Sequence, residues 1–169
     1  MKKHKILIVD DEQSLVYVLK KILEDEFIID TASDGEEALS YIKNNFYFAI
    51  FLDIRIPKIN GMEVLAYTRK LDNKPNVIIM TAQNTMVNAI DAMKKGAYDY
   101  ITKPFELEEI IGIIEKIKKN DGLNDKNFAK SEDFLDTLLV GKSKIMQEVF
   151  KTIGKLSHNN VTVLILGES

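Results

Sequence analysis

Three aspartates follow two short apolar runs in this 169-residue sequence. Asp10 and Asp11 come directly after residues 6–9, and Asp53 follows residues 48–52. Runs of this length and composition are typical of buried β-strands. Ligands bind at the carboxyl ends of strands in open α/β sheets, so these acids are candidates for chemistry. The alternative is that each acid caps a turn or the helix that follows.

A cation is needed if these three carboxylates share one pocket. Each pair of like charges about 4 Å apart costs about 1 to 4 kcal/mol, depending on the local dielectric. The chain has no cysteine, and an oxygen-only ligand set points to Mg²⁺, which keeps several waters that a phosphate can displace. A helix cap needs only one acid, so the doublet Asp10-Asp11 favours the metal.

A hydroxyl and an ammonium group end two further strand-like runs. Thr81 follows residues 77–80, and Lys103 follows residues 98–102. Taken alone, Thr81 fits a cap and Lys103 fits a solvated charge. Together with Asp53 and a metal they form the set that in-line transfer of a phosphoryl group to a carboxylate requires: a nucleophile, a divalent cation, a hydroxyl donor and a fixed cation.

The elements that must position these residues alternate along the chain. Five strand-like runs and five helical patterns fill the first 120 or so residues, which predicts a parallel sheet covered by helices on both faces. We expect an α/β, flavodoxin-like doubly wound sheet of the (βα)5 type, with the first and third strands adjacent. The predicted strands are 5–9, 27–31, 48–53, 77–80 and 98–102, and the helices end near 23, 43, 71, 95 and 119.

Composition restricts the class of protein further. The net charge of −3 gives no nucleic-acid surface, and the lack of cysteine excludes disulfides and thiolate sites. No apolar run approaches the roughly 18 residues of a membrane span, and the run after the basic start at residues 1–5 is too short for a signal peptide. We expect a cytoplasmic protein without direct contact to membrane or nucleic acid.

A series of motifs over residues 1–120 closely resembles the receiver domain of bacterial two-component response regulators. The motifs are Val9-Asp10-Asp11-Glu12, Ser33-Asp34-Gly35-Glu36-Glu37-Ala38-Leu39, Leu52-Asp53-Ile54-Arg55-Ile56-Pro57, Asn60-Gly61, Met80-Thr81-Ala82, Gly96-Ala97 and Tyr100-Ile101-Thr102-Lys103-Pro104-Phe105. Their order is that of the family, which makes the resemblance specific.

The resemblance implies a role for each acid. Asp53 takes a phosphoryl group from a phosphohistidine on a sensor histidine kinase. Asp11 and Asp53 bind Mg²⁺ directly, together with the backbone carbonyl of Arg55. Asp10 acts on the metal mainly through water.

The resemblance also implies a switch. Thr81 and Lys103 contact the phosphoryl oxygens, and Tyr100 is the aromatic side chain that rotates inward. The peptide bond between Lys103 and Pro104 is expected to be cis, an isomer that is almost confined to bonds before proline.

The last third of the chain predicts a different module. Residues 121–138 read as a partly helical linker. Residues 139–169 resemble the start of the AAA+ ATPase domain of sigma-54-dependent transcriptional activators of the nitrogen-regulatory class, through Leu139-Val140-Gly141-Lys142-Ser143-Lys144-Ile145-Met146 and Val163-Leu164-Ile165-Leu166-Gly167-Glu168-Ser169. Only the first glycine of a phosphate-binding loop, Gly167, is present, so we expect no ATP hydrolysis by this chain. DNA and sigma-54 RNA polymerase would be reached only through domains beyond it.

The helix predicted at residues 107–119 carries two apolar rows. The rows are Leu107, Ile111 and Ile114, and Ile110, Ile113 and Ile117. One row can cover the sheet, and the other, with the linker, is the predicted surface for a homodimer. The alternative is a helix sunk in a single core.

Two other functions compete with a phosphorylated receiver. A Mg²⁺-dependent phosphatase of the haloacid dehalogenase type also uses an aspartate nucleophile, but it places an acid two residues later, where this chain has Arg55. A receiver-like binding module that never takes phosphate is disfavoured because all five site residues are present. We therefore expect a signalling domain and no enzyme that turns over a substrate.

Overall fold

Five parallel strands alternate with five helices in the computed structural model, which describes residues 3–82 and 86–121 together with Glu148 and Thr152. The strands are β1 (Lys5–Val9), β2 (Ile28–Ala32), β3 (Ala49–Asp53), β4 (Asn76–Thr81) and β5 (Asp99–Thr102). The helices are α1 (Gln13–Leu23), α2 (Gly35–Asn44), α3 (Gly61–Thr68), α4 (Met86–Lys94) and α5 (Leu107–Asp121). The strand order is β2-β1-β3-β4-β5, so the predicted doubly wound fold is confirmed.

The predicted linker and the predicted AAA+ fragment lie outside the described residues, apart from Asp121, Glu148 and Thr152. Both therefore stay predictions. In the part of the chain that the structure describes, no helix combines the length and the apolar character that crossing a membrane requires.

One helix boundary differs from the prediction by three residues. The apolar spacing placed the end of the third helix at Leu71, whereas α3 ends at Thr68. The Thr68 hydroxyl donates to the Leu65 carbonyl at 2.7 Å, and the amides of Lys70 and Leu71 donate to the carbonyls three residues earlier, as in turns. Leu71 follows the apolar pattern because it packs beside the core from a turn.

The core consists of two clusters, one on each face of the sheet. Successive strand residues point to opposite faces, so each strand contributes to both clusters. β1, β3 and β4 are buried along almost their whole length, as expected for central strands covered by helices on both sides. This sheet is a rigid platform for the residues that follow its strands.

Helix α5 buries side chains from both of its predicted apolar rows. One of the two predicted rows, Ile110, Ile113 and Ile117, is buried, and Ile114 of the other row joins it in the same cluster. The described apolar surface left outside is the pair Leu107 and Ile111, which are 41% and 44% exposed. The predicted second row is therefore wrong for Ile114, because α5 lies deep enough in the core to bury both sides of its inner face.

Gly61 allows the loop after β3 to fold back against the strand. Its amide donates to the Ile54 carbonyl at 3.0 Å, and a methyl group placed on it would lie 2.1 Å from the Asp53 carbonyl oxygen. No side chain fits there without moving the backbone that holds Asp53. The turn residue is thus tied directly to the position of the acid.

Replacing Gly61 with alanine should destabilise the protein by at least about 2 kcal/mol, because the clash is with backbone atoms and not with a flexible side chain. Urea unfolding followed by circular dichroism measures the loss.

The matched control is Gly112→Ala in α5, where a methyl group would meet nothing within 4 Å. Alanine is the better helix former, so this variant should gain roughly 0.5–1 kcal/mol. Equal stabilities for the two variants would show that the loop after β3 adapts, contrary to our view of Gly61.

Candidate functional site

The three aspartates meet at the carboxyl edge of the sheet, beside the gap between β1 and β3. Val9 pairs with Leu52 across these strands, so the next residues, Asp10 and Asp53, are neighbours. One carboxylate oxygen from each of Asp10, Asp11 and Asp53 lies within 4.8 Å of the others. The chain changes winding direction here, since β2 and β3 lie on opposite sides of β1. The structure therefore brings together the acids that the sequence pattern selected.

Every oxygen of the two buried acids has a donor. Asp10 accepts from the Glu12 amide at 3.0 Å through Oδ1 and from the Lys103 ammonium at 2.5 Å through Oδ2. Asp53 accepts from the Arg55 amide at 3.0 Å through Oδ1 and from Lys103 at 2.6 Å through Oδ2. These bonds fix the direction in which each carboxylate points.

Lys103 bridges the two buried carboxylates, and its own side chain is only 13% exposed. Burial acts to lower the pKa of its ammonium group. The hydrogen bonds and charges of Asp10 and Asp53 outweigh that effect and raise the pKa above its usual value. Lys103 is therefore a permanently charged group at this site.

Burial raises the pKa of the Asp10 carboxyl, against the opposing hydrogen bonds from Lys103 and the Glu12 amide. The negative charge of Asp53 adds to the increase. Ionised Asp10 therefore works against folding, because the folded protein holds the proton of this group more tightly than the unfolded chain does.

The donor set fits a hard divalent cation. Asp11 is exposed beside the two buried acids, and the three carboxylates with one ammonium leave a net charge of −2, that is −3 + 1. Carboxylate oxygens have room for a further contact beyond the hydrogen bonds they already accept. Mg²⁺ is typically held by one or two carboxylates and keeps several waters, which matches a site that is open at Asp11.

Thr81 and Lys103 reach the same edge from β4 and β5. Met80 is paired with Asp53, so Thr81 ends β4 one residue beyond the acid. Thr81 is fully buried, and its carbonyl accepts from the Lys103 amide at 2.9 Å. That bond ties the end of β4 to the residue carrying the ammonium group. The predicted cis bond between Lys103 and Pro104 is confirmed.

Tyr100 lies in β5 and is only 2% exposed. Burial raises the pKa of its hydroxyl to about 12, so it is neutral at physiological pH. The predicted switch residue therefore occupies an inward position in this structure.

The sequence pattern placed Lys103 at the same edge as the acids, but it specified neither of two contacts found there. One is the ion pair between Asp10 and Lys103, which are 93 residues apart. The other is Lys58, which has a φ of 66° and contacts Asp34 at 2.7 Å and Glu36 at 3.3 Å. This contact joins the loop after β3 to the start of α2. A positive φ at lysine is uncommon, so only the motif around Pro57 and Gly61 hinted at an unusual loop.

The response regulator receiver domain family matches residues 6–115 of the chain. The chain therefore belongs to this family, whose general function is to be phosphorylated by a sensor kinase in two-component signalling, with Mg²⁺ bound in the acidic pocket.

Similar curated proteins are transcriptional regulators. The "DNA-binding transcriptional regulator NtrC" of Proteus hauseri is 31% identical over all of this chain, and that of Rhizobium meliloti strain 1021 is 33% identical over 97% of it. The aligned parts are 36% and 34% of those proteins, so the chain spans about a third of the length of the curated relatives it matches.

Solved structures give the same fold. The response regulator TrrA of Thermotoga maritima, in complex with Mg²⁺-BeF, is 34% identical with a TM-score of 0.61 and aligns with 68% of this chain and 98% of its own. A CheY-like receiver domain protein from Methanospirillum hungatei is 29% identical with a TM-score of 0.67, covering 72% of this chain and 98% of its own.

Replacing Asp10 with asparagine should raise the Tm of the metal-free protein at pH 7 by a few degrees, because the ionised acid is unfavourable in the folded state. The pKa of Asp10 is higher in the folded than in the unfolded state, so its penalty is complete above the folded pKa. It vanishes below the ordinary value of about 3.9, where the group is protonated in both states. Thermal unfolding at pH 7 and pH 3.5 tests this.

Asp11→Asn is the comparison, since Asp11 is exposed and carries no burial penalty, so the change should raise the metal-free Tm less than Asp10→Asn does. Added Mg²⁺ should stabilise the native sequence more than either variant, because a ligand that binds only the folded state raises its stability. A lower metal-free Tm for Asp10→Asn would contradict the role of burial.

Proposed function

We propose that Asp53 is the residue that accepts the phosphoryl group from a sensor histidine kinase, and that its phosphorylation controls self-association of this chain. The observation that carries the proposal is the setting of the Asp53 carboxylate. Lys103 lies on one oxygen, the Arg55 amide on the other, and two further acids complete an oxygen pocket.

The reaction is an in-line displacement at phosphorus. An oxygen of Asp53 attacks the phosphoryl group of a phosphohistidine, the phosphorus–nitrogen bond breaks, and the imidazole leaves with the electron pair. The product is an acyl phosphate on Asp53. The Arg55 amide holds the acid in place, so little reorientation is needed before attack.

Lys103 and the acids handle the charge of this step. The ammonium group, already 2.6 Å from Asp53, remains beside the oxygen-rich product and stabilises it. Asp11, Asp53 and the backbone carbonyl of Arg55 are the proposed direct ligands of Mg²⁺, with Asp10 acting through water. When bound, the metal would neutralise negative charge on the phosphoryl oxygens. The related TrrA was solved in complex with Mg²⁺-BeF, which supports Mg²⁺ as the ion proposed here.

Slow loss of the phosphoryl group fits the same pocket. A phosphatase that uses an aspartate nucleophile needs an acid/base group that protonates the leaving alcohol and then takes a proton from the water that hydrolyses the acyl phosphate. Arg55, at the second position after Asp53, can do neither at neutral pH because its guanidinium stays protonated. The acyl phosphate is therefore a signal with a lifetime, which supports a receiver over an enzyme with rapid turnover.

Asp53→Asn should abolish phosphorylation by acetyl phosphate and Mg²⁺, because the amide is not a nucleophile for phosphorus. Intact-protein mass spectrometry measures the mass of one added phosphoryl group. Chelation of Mg²⁺ should also abolish it for the native sequence.

The control is Asp91→Asn, an exposed acid of α4 that pairs with Lys95. Full phosphorylation of this variant is expected. If Asp53→Asn were phosphorylated to the same extent as the native sequence, the residue that accepts the phosphoryl group would not be Asp53. A native chain that takes no phosphoryl group at all would leave the receiver-like binding module as its function.

Thr81 and Tyr100 are the proposed switch between the phosphorylated pocket and the surface. Moving an equilibrium from about 1:99 to 99:1 takes roughly 5.5 kcal/mol. Charge-assisted hydrogen bonds supply about 1.5–3 kcal/mol each, so a bond from Thr81 and one from a loop amide come close to this amount. Lys103 contributes less to the change, because it already contacts unmodified Asp53.

The proposed dimer surface is the outer face of α5 with the linker that follows. Leu107 and Ile111 lie one turn apart on this face and remain substantially exposed. A groove between β5 and α5, lined in part by Tyr100, Glu108, Gly112 and Lys116, lies close by. Tyr100 lines this groove from β5, the strand that Lys103 follows, and so lies between the acidic site and the outer face of α5.

Phosphorylation should change the monomer–dimer equilibrium of the native sequence, whereas Thr81→Ala should be phosphorylated normally and show no such change. The reason is that, in this proposal, the threonine hydroxyl binds the phosphoryl group after it has been transferred to Asp53 and takes no part in the transfer itself. Sedimentation at several protein concentrations, with and without acetyl phosphate, measures the equilibrium.

Ile111→Lys should weaken the dimer at least tenfold, because it places a charge in an apolar contact. Val18→Lys on α1, where the valine is 50% exposed, is the matched control and should dimerise normally. A strict monomer in both phosphorylation states would remove self-association from the proposal. A normal change of the monomer–dimer equilibrium on phosphorylation of Thr81→Ala would show that the threonine is not part of the switch.

The proposed context is a cytoplasmic transcription regulator. Proteins named as NtrC regulators match along the whole of this chain, which supports an output module of the AAA+ type beginning at residues 139–169. In the whole protein, contact with DNA and with sigma-54 RNA polymerase would belong to parts beyond this chain. The receiver would then act on transcription only through its neighbours.

A further inference from the structure

The edge of the sheet opposite the acidic pocket carries an aromatic and basic surface. Phe46 is 78% exposed, more than any other large apolar side chain that the structure describes. A cavity of about 280 Å³ beside it is lined by His4, Lys5, Phe46, Tyr47, Phe48, Lys74 and Asn76. We call these residues the amino-edge surface.

A second cavity, of about 330 Å³, is lined by the same phenylalanine. Its lining includes Phe46, Tyr47, Lys43 and Asp72. A single exposed apolar side chain needs no explanation, but one that lines two neighbouring cavities offers a site where an apolar group can be buried against it. The shape favours a peptide side chain over a flat protein surface.

The amino-edge surface contains two lysines and no acid of its own, although Asp30 pairs with Lys5 and Asp72 lines the second cavity. Lys5 lies between Asp30 and Asn45, whereas Lys74 makes no ion pair with any residue that the structure describes. Lys43 rests over the Tyr67 ring, 5.8 Å from its centre, and adds a further cation near the second cavity. An occupant should therefore combine apolar side chains with negative charge.

Helix α5 ends at this same edge. Near its end, Lys118 pairs with Glu26 and lies over the Phe27 ring, 5.2 Å from its centre. The rings of Phe27 and Phe48 are 5.9 Å apart, and those of Phe48 and His4 are 4.9 Å apart. A continuous row of contacts thus leads from the last turns of α5 to the amino-edge surface.

The chain that follows α5 has the required composition. Residues 132–136 read Glu132-Asp133-Phe134-Leu135-Asp136, with three acids around two large apolar side chains. Residues 122–131 lie between this stretch and the end of α5. Ten residues span up to about 35 Å when extended, which is about the diameter of a small domain.

We propose that the amino-edge surface binds residues 132–136 of the same chain, with the Phe134 side chain beside Phe46 and the acids facing Lys74 and its neighbours. The argument rests on the exposed phenylalanine that lines two cavities, the cation of Lys74, which is unpaired within the described residues, and the exit of α5 at this edge. Such a contact would anchor the proposed linker to the receiver at the end opposite the phosphorylation site.

Paramagnetic broadening in the full 169-residue chain tests this contact without a phosphoryl donor. Because the native sequence has no cysteine, Thr137→Cys accepts a single nitroxide label next to the segment. The expected result is loss of amide signal at His4, Phe46 and Lys74, with the signals of Asp11 and Asp53 retained at the opposite edge. Broadening centred on any other surface, or none above background, would overturn the proposal.

Substitutions in the labelled chain test whether the contact depends on Phe46 and on Lys74. Phe46→Ser should restore the amide signals of the amino edge, whereas Tyr17→Ser, at a side chain 63% exposed on α1, should leave them broadened. Lys74→Glu should weaken the broadening and its combination with Asp133→Lys should recover it, while Lys20→Glu on α1 should have no effect. Broadening that persists in Phe46→Ser would contradict the anchor.

A mixing experiment distinguishes one chain from two. Isotope-labelled chain without nitroxide is mixed with nitroxide-labelled chain of natural isotope content. No broadening in the mixture is expected for a contact within one chain. Broadening of the amino edge in the mixture would show docking between copies and overturn the intrachain assignment.

Discussion

The ammonium group of Lys103 between Asp10 and Asp53 is the interaction on which the carboxyl edge of this protein depends. Three carboxylates that meet at the ends of two adjacent strands repel one another, and burial removes the screening water from two of them, Asp10 and Asp53. One fixed cation offsets part of that charge and leaves the excess that a divalent metal requires. The folded pocket therefore keeps a net negative charge, which favours the binding of a further cation.

The rest of the fold keeps this arrangement rigid. Buried β1, β3 and β4 carry the acids and Thr81 at their ends, and the two core clusters lock the strands from both faces. Functional groups sit in the first residues after each strand, where the backbone leaves the sheet and side chains reach into the crevice. Gly61 shows how closely the loops are fitted, since even a methyl group at that position meets the carbonyl of Asp53.

The two edges of the sheet have opposite chemical character. The carboxyl edge gathers acids around a cation, whereas the amino edge gathers aromatic rings and lysines around Phe46. Each helix of the alternating fold carries the chain from the first edge back to the second, so the segment after α5 starts at the amino edge. The phosphorylation site proposed at Asp53 and the chain that leaves α5 near Lys118 are thus separated by the length of the strands.

The sequence by itself determined the type and order of the elements, the parallel doubly wound sheet, and the candidate residues Asp10, Asp11, Asp53, Thr81 and Lys103. These followed from local patterns, because strand and helix periodicity and turn residues act over a few positions. Only the tertiary structure decided which groups meet. Several contacts join residues far apart in the chain: the Asp10–Lys103 pair, the burial of Ile114 and the aromatic row at the amino edge. The positive φ of Lys58 is likewise not a conformation that lysine itself prefers. Such contacts depend on how the elements pack in three dimensions, which no local pattern encodes.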